Sequence, residues 1–148
     1  MGKYFTIEEL TKTNTGLDNT PNEQITNNLE ILIKVLDEIR EHWTILCKKN
    51  NWGSPSIIVN SGYRSEEVNK AVGGSKTSSH KTGWAVDIEP RNQRNKEFYE
   101  FCKDYLNNNN IMFDQLINEK PRNGIPSWVH LGLYNSKGEQ RHQIFTLV

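Results

Sequence analysis

Apolar residues recur at alternating steps of four and three early in the chain, which is the period of one face of an α-helix. They are Ile25, Leu29, Leu32, Leu36, Ile39, Trp43 and Leu46. Just before them, Thr20, Pro21 and Glu23 have the spacing of a capping box, with threonine as the N-cap and proline at the first helical position. The pattern predicts a long helix that begins after Thr20, ends near residues 50–51 and buries its apolar stripe in the core.

Shorter segments of alternating or β-branched composition follow this helix and predict strands. They are residues 57–60, 85–88, 111–118 and 128–133, with 143–147 as a candidate last edge strand. Within 111–118 the alternation places Phe113 and Ile117 on one face. Between the strands, Ser65 can cap a short helix, and residues 91–106 carry aromatic residues at helical spacing. This order predicts an α+β fold in a single domain, residues 1–148, with a small central antiparallel sheet flanked by helices.

The composition limits the classes of partner. The chain of 148 residues has 18 basic and 18 acidic side chains, so its charge gives no reason to expect a nucleic-acid or membrane partner. No apolar run approaches the roughly 20 residues of a membrane helix, and the N-terminus lacks the pattern of a signal peptide. Cys47 and Cys102 lie in apolar, helix-like surroundings without C-x-x-C spacing, and we expect buried free thiols rather than a disulfide.

The strongest chemical signal lies in residues 78–87, where an imidazole and a carboxylate stand on either side of a glycine. In the predicted strand, Val86 and Ile88 face the core, and Asp87 therefore faces away from it, into a cleft. The turn at Gly83 allows His80 to fold back over the same cleft, because glycine adopts backbone conformations that strain other residues. Together these residues predict two ligands of a metal site.

A third ligand is available in the strand 128–133, where Val129, Leu131 and Leu133 form an apolar face and His130 lies on the opposite one. A lone histidine or aspartate is more often a surface or hydrogen-bonded residue than a ligand. The composite of this strand with His80 and Asp87 has few accidental matches, and it favours a zinc site.

The chain resembles the M15 peptidases, the zinc D-Ala-D-Ala carboxypeptidases and related phage endolysin peptidases, and most closely the small phage-type members. The motifs that carry the resemblance are Ser61-Gly62-Tyr63-Arg64, Ser78-x-His80-x-x-Gly83-x-Ala85-x-Asp87 and Trp128-x-His130. It extends from Tyr4 to about Tyr134. The resemblance implies a fold like that of the hedgehog and D-Ala-D-Ala peptidase proteins and one Zn²⁺ per chain, held by His80, Asp87 and His130.

The resemblance also assigns a role to Arg64, the cation that follows the first predicted strand. On spacing alone, Arg64 would be taken for half of a surface salt bridge. Members of the family use the matching arginine beside the metal to bind substrate and to steady the developing oxyanion. Ser78, in the polar loop 73–79 over the site, is the second expected substrate-binding residue. Lys76 and Lys81 are alternatives to Arg64 for binding a terminal carboxylate.

The chain departs from its relatives at the general base. Many relatives place an acidic residue three positions before the last histidine ligand, where this chain has Ser127, and others place a histidine two before, where it has Trp128. If residues 120–127 close a hairpin, Glu119 lies opposite Ser127 and its carboxylate can reach the catalytic water. Glu119 is therefore the expected base, with Asp114 second and His142 as a further alternative. A solvated loop carboxylate remains the competing interpretation of Glu119.

These residues predict a zinc-dependent peptidase that hydrolyses an amide bond in bacterial peptidoglycan peptides, as a carboxypeptidase or as an endolysin-type endopeptidase. The predicted partner is a peptidoglycan peptide, without nucleic acid or membrane, and the protein is expected to be a monomer. A phage-type protein without a signal peptide would be made in the cytoplasm of an infected or lysogenic bacterium and act at the cell wall after release. The alternative is a catalytically weak or inactive zinc-bearing module that binds the wall or forms part of a virion. A metalloenzyme acting on a free dipeptide is a third hypothesis.

Overall fold

The computed structural model describes residues 2–148, and over this range the chain forms four α-helices and one five-stranded sheet. The helices are α1 (Ile7–Leu10), α2 (Glu23–Asn50), α3 (Glu66–Ala71) and α4 (Asn95–Asn108), with a 3₁₀ turn at Ser79–Thr82. The strands are β1 (Ile57–Ser61), β2 (Ala85–Pro90), β3 (Gln115–Glu119), β4 (Trp128–Gly132) and β5 (Gln143–Leu147). The predicted α+β class is confirmed.

The sheet has the strand order β1-β2-β4-β3-β5. The pairs β1–β2, β2–β4 and β4–β3 are antiparallel, and the pair β3–β5 is parallel. The predicted antiparallel sheet is therefore mixed at one edge. The reason is that the chain after β4 returns to the start of β3, where the Gln143 N–H donates to the Asp114 carbonyl, and β5 then runs in the same direction as β3.

The apolar stripe of α2 lies in the core, as predicted. Leu29, Leu32, Leu36, Ile39 and Trp43 are fully buried, while the two ends of the stripe are partly buried. The helix ends at Asn50, as expected. In the part of the chain that the structure describes, no helix combines the length and the apolar composition that a membrane span requires.

The start of α2 differs from the predicted capping box. Asn22 is the N-cap, and its Oδ1 accepts a hydrogen bond from the Ile25 N–H at 2.8 Å. The Thr20 hydroxyl instead donates to the Asp18 carboxylate at 2.7 Å. Asparagine caps a helix at least as well as threonine. Asn22, which lies nearer the first free N–H groups of the helix, therefore acts as the N-cap in place of Thr20.

Trp43 should contribute more to stability than any exposed position of α2. It is fully buried, with its ring centroid 5.1 Å from that of Phe98. We expect Trp43→Ala to lower the free energy of unfolding by about 3–5 kcal/mol, because it leaves a large cavity. Denaturant unfolding measures this loss, and Ile45→Ala, at a position 61% exposed on the same helix, is the matched control with an expected change within about 0.5 kcal/mol. Equal losses in the two variants would contradict the packing described here.

Two predicted elements begin later than expected. The strand predicted at 111–118 begins at Gln115, so the alternation does not reach Phe113, which is fully buried in the core together with Leu116. The helix predicted from residue 91 begins at Asn95. Within 115–119, the residues that face the cleft are Gln115, Ile117 and Glu119.

The cysteine prediction is confirmed, since Cys47 and Cys102 are both buried and free. Burial raises the pKa of the Cys102 thiol well above its ordinary value. A thiol held in its neutral form in an apolar core is a poor nucleophile and a poor metal ligand. Both cysteines are therefore packing residues.

Candidate metal and catalytic site

Two of the predicted ligands face each other on neighbouring strands. Asp87 of β2 pairs with His130 of β4 in the antiparallel register, so their side chains emerge side by side on the cleft face of the sheet. The His130 Nδ1 lies 3.0 Å from Asp87 Oδ1. Both residues are buried, and their neighbours Val86, Ile88, Val129 and Leu131 pack into the core on the other face.

His80 reaches the same place from the 3₁₀ turn that precedes β2. Gly83 ends this turn in the left-handed region at φ 78°, where its backbone passes close to α2. A Cβ at this position would lie only 3.0 Å from Ile25 Cγ2, so both the conformation and the space favour glycine. The result is that His80 Nε2 lies 3.4 Å from Asp87 Oδ2.

A backbone carbonyl orients the His80 ring. The Nδ1 of His80 lies 2.8 Å from the carbonyl oxygen of Gly62, which can only accept a hydrogen bond. The proton of a neutral imidazole is therefore on Nδ1, and the lone pair is on Nε2, which faces Asp87. A histidine whose second nitrogen donates to a carbonyl is the usual arrangement of a metal ligand.

The electrostatic environment keeps His80 and Asp87 in the protonation states that bind metals. Desolvation lowers the pKa of His80, which favours the neutral ring. Burial alone would raise the pKa of Asp87, but its hydrogen bonds with His130 and His80 outweigh that effect and hold the pKa well below its ordinary value. A neutral imidazole and an ionised carboxylate are the forms that coordinate a cation.

The three residues fit a zinc ion. One ligand atom from each of His80, Asp87 and His130 lies within 4.8 Å of the others. Two imidazole nitrogens and one carboxylate oxygen are a donor set that zinc accepts in catalytic sites, which leave a further position open. The group can therefore hold a metal ion.

Arg64 lies beside this group and is held by three acceptors. Its guanidinium donates to Ser61 Oγ at 3.0 Å, to Asn69 Oδ1 at 3.2 Å and to Asp87 Oδ2 at 3.5 Å. Desolvation lowers the pKa of Arg64. Because the ordinary pKa of arginine is very high, the side chain keeps its positive charge. The structure thus places a fixed cation next to the candidate metal ligands.

Asn69 is a site residue that the sequence analysis did not identify. It is buried in α3, where its Oδ1 accepts from Arg64 and its Nδ2 donates to the Ser75 carbonyl at 2.9 Å. One side chain therefore ties the arginine to the loop over the cleft. Nothing in the local sequence distinguishes Asn69 from a solvated helix residue, because its partners come from outside its own helix.

Glu119 lies at the end of β3 and lines the same cleft as the three candidate ligands. It pairs with Trp128, not with Ser127 as the assumed hairpin required. Ser127 lies just outside the strand pairing, where its N–H donates to the Glu119 carbonyl at 3.0 Å. Burial raises the pKa of the Glu119 carboxyl, the nearby Asp87 charge adds to the effect and His130 opposes it. A carboxylate with a raised pKa is suited to accept a proton near neutral pH.

The two alternatives to Glu119 face elsewhere. Asp114 binds Arg141 through both carboxylate oxygens, at 2.7 and 2.8 Å. Burial alone would raise its pKa, but the hydrogen bonds from Arg141 outweigh that effect and lower it. The ring of His142 packs on Phe113 at 4.3 Å between centroids. Neither residue lines the cleft.

The cleft itself has a volume of about 790 Å³. Ser78 lines it, and its hydroxyl accepts a hydrogen bond from the His80 N–H at 3.2 Å. Lys76 and Lys81 are not among its lining residues, and the Lys81 ammonium is paired with Glu66 at 2.6 Å. The cations that line it besides Arg64 are Lys120, Lys137 and Arg141. No sequence pattern indicated these three at the site, since each comes from a loop whose course depends on the sheet.

The comparison with protein families agrees with the geometry. The family model for Peptidase M15 matches residues 3–113, which is more than half of the chain. No curated protein matches the chain. The family match, together with this site, identifies a metallopeptidase, a class of hydrolase. More particularly, the chain belongs to the peptidase M15 family, whose members are zinc peptidases.

The matched range includes Arg64, His80 and Asp87 but ends before Glu119 and His130. The family match therefore supports the metal-binding motif around His80. The involvement of His130 depends on its pairing with Asp87 across the sheet.

Proposed function

We propose that this protein is a zinc-dependent peptidase that hydrolyses amide bonds in bacterial peptidoglycan peptides. The observation that carries the proposal is that a carboxylate and an arginine, Glu119 and Arg64, line one cleft together with His80, Asp87 and His130. A proton acceptor, a fixed cation and a three-residue metal site are the parts that amide hydrolysis needs.

His80, Asp87 and His130 would hold the zinc ion. When bound in a site with three protein ligands, zinc acts as a Lewis acid on a carbonyl and lowers the pKa of water to about 7. The chain's own contribution is to present two imidazoles and one carboxylate in fixed orientations. The Gly62 carbonyl and the Arg64 guanidinium maintain those orientations through His80 and Asp87.

Glu119 acts as the proton carrier in this proposal. As the water oxygen attacks the scissile carbonyl carbon, the Glu119 carboxylate accepts a proton from that water. The C–N bond then breaks, and the proton passes from Glu119 to the leaving amine nitrogen, which regenerates the carboxylate. The raised pKa of Glu119 suits both steps, because the group must accept and then release the proton near neutral pH.

Arg64 stabilises the negative charge that develops on the carbonyl oxygen. A guanidinium has five N–H donors, and three of them are used by Ser61, Asn69 and Asp87. The others remain for the substrate. Because the protein already fixes the group, little reorganisation is needed when the charge forms.

Arg64→Ala is therefore expected to reduce kcat/KM by about 10²–10³, the usual cost of losing one such donor. Zinc content should change much less, since Arg64 touches the metal group only through Asp87 at 3.5 Å. Steady-state kinetics and metal analysis on the same preparation test this. Arg91→Ala, at an exposed position outside the cleft, is the matched control. Unchanged kcat/KM in Arg64→Ala would return Arg64 to the role of a structural salt bridge.

The cleft supports a peptide of acidic character as the substrate. Lys120 and Lys137 line it alongside Arg64, together with the carboxylates of Glu119 and Glu139. Arg141 also lines it but is paired with Asp114. Peptidoglycan peptides carry free carboxylates, and either a terminal cut or an internal cut is compatible with these cations. Peptide alone is the proposed partner, without nucleic acid or membrane, and the protein is proposed to act as a monomer. The proposed setting is the wall of a phage-infected or lysogenic bacterium, reached after release from the cytoplasm.

Purified peptidoglycan, incubated with the zinc-loaded protein, tests the proposal. Mass spectrometry of the soluble products should show fragments with one new amine and one new carboxylate, and the fragments should disappear in the presence of a zinc chelator. The same products identify the bond that is cut. If the zinc-loaded protein binds the wall but releases no fragment, the proposal fails, and a zinc-bearing wall-binding or virion module becomes the better account.

A further inference from the structure

A second cavity of about 260 Å³ adjoins the cleft. It lies between the N-terminal segment 12–15 on one side and the end of β1 and α3 on the other, and it shares Arg64 and Val72 with the cleft. The two spaces therefore adjoin at these two side chains.

The walls of this cavity are held in place by one buried side chain. The Asn19 amide donates to the Thr11 carbonyl at 2.8 Å and to the Tyr63 carbonyl at 2.9 Å, and its Oδ1 accepts from the Ser65 N–H at 2.7 Å. These bonds connect the N-terminal segment on one side of the cavity to residues 63–65 on the other side. The cavity is therefore preformed, which reduces the ordering cost of binding.

The lining has an apolar side and polar groups without partners. Tyr63, Val68 and Val72 supply the apolar surface. Tyr63 is only 7% exposed as a whole, but its hydroxyl, which bonds to no other side chain among residues 2–148, is open to solvent rather than buried. Over the same described range, the side chains of Lys12 and Asn14 also form no hydrogen bond or ion pair.

The charge of the lining has one sign. Lys12 and Arg64 are cations, and no carboxylate lines the cavity. Asp18 and Glu67 are near enough to raise the pKa of Tyr63 alongside the larger effect of its burial. Neither of them lies in the lining, and the Asp18 carboxylate accepts hydrogen bonds from Thr20. A ligand of matching chemistry is a short segment with an apolar part and a carboxylate.

We propose that this second cavity is a subsite that binds a carboxylate-bearing segment of the peptide on one side of the scissile bond. The proposal rests on the proposed peptidase function and extends it, because it makes recognition depend on peptide length and on an acidic group away from the cut. Lys12 supplies the charge, and Tyr63 and Asn14 supply hydrogen-bonding groups.

The test measures binding, with Glu119→Gln as the background so that turnover does not consume the probe. The probe is a synthetic peptidoglycan stem pentapeptide, and a second probe is the same peptide with its carboxylates converted to amides. Calorimetry gives the affinities, and ¹⁵N NMR shift mapping locates the peptide. We expect shifts at residues 13–15 and at Tyr63 in addition to those in the cleft.

Lys12→Met should weaken binding of the acidic peptide by about three- to tenfold and leave the amidated peptide unchanged, the expected size for one partly exposed charge pair. Asn14→Trp, which fills the cavity without breaking a bond seen here, should weaken both peptides. Lys34→Met and Asn107→Trp are matched controls at exposed positions outside both cavities.

The subsite proposal is overturned if the peptide shifts only cleft residues and all variants bind equally. It is also overturned if the pentapeptide does not bind at all. Release of fragments from whole peptidoglycan by the wild-type protein decides the proposed function separately, so failure of one proposal is distinguishable from failure of the other.

Discussion

Asp87→Ala is expected to abolish zinc binding and, with it, the proposed hydrolysis of peptidoglycan peptides. Asp87 is the central member of the metal group, since its two oxygens contact His130 at 3.0 Å and His80 at 3.4 Å. Removing it leaves two imidazoles without the negative charge that opposes the cation. Mutating residues that merely orient a ligand usually costs about 10–100-fold in metal affinity, so loss of the ligand itself is expected to exceed that range.

Metal analysis of the purified variants measures this effect, and anomalous scattering at the zinc edge locates the ion in the wild type. Asp104→Ala is the matched control, because Asp104 is an exposed aspartate on α4 far from the cleft lining. The variant's circular dichroism must remain that of a folded protein for the comparison to hold. Full zinc content in a double variant, His80→Ala with Asp87→Ala, would show that this group is not the metal site.

Glu119→Gln is expected to slow turnover by about 10²–10⁴, the usual loss on removing a positioned general base. Glutamine keeps the size of the side chain and one hydrogen-bond acceptor but does not take up a proton at neutral pH. Zinc content should be unchanged, because Glu119 is not a member of the metal group. Steady-state kinetics on peptidoglycan fragments measure the rate.

The pH profile supplies a second readout for Glu119. The base works only when it is deprotonated, so activity should fall as the pH drops through its pKa. Burial raises that pKa above the ordinary value for glutamate, and the acidic limb of the wild-type profile should be displaced to higher pH accordingly. In Glu119→Gln this limb should be absent from the residual activity.

Asp114→Asn is the control that separates Glu119 from its nearest rival. Asp114 is bound to Arg141 at 2.7 Å, so this change should lower stability but leave the rate per folded molecule nearly unchanged. If Asp114→Asn is slow and Glu119→Gln keeps the full rate, the base has been assigned to the wrong residue. If both keep the full rate, neither of these two carboxylates acts as the base, and Glu139, which also lines the cleft, becomes the next residue to vary.

Much of the fold could be predicted because its signals are local. The three-and-four spacing of α2 reflects the turn of a helix, and the alternation around Asp87 and His130 reflects the pleat of a strand. These periods place side chains on a face without reference to the rest of the chain. They were sufficient to put Asp87 and His130 on the face opposite Val86 and Val129, where the structure has them.

The tertiary structure decided which of those faces meet, and at what register. Asp87 lies opposite His130 because β2 and β4 are neighbours, although β3 lies between them in sequence. Glu119 pairs with Trp128, one residue away from the position that the local pattern suggested. Strand order and register depend on how the buried faces pack together, and a shift of one residue would turn Glu119 away from the cleft.

The sequence by itself determined the helix and strand periods, the α+β class and the residue types that can bind a metal, because those depend on neighbours along the chain. Only the tertiary structure decided that Asn69 accepts a hydrogen bond from Arg64, that Arg141 pairs with the Asp114 carboxylate and that Lys12 lines a second cavity. The physical reason is that a hydrogen bond or a charge interaction acts over a few ångströms, and these partners come that close only after the sheet and helices have packed.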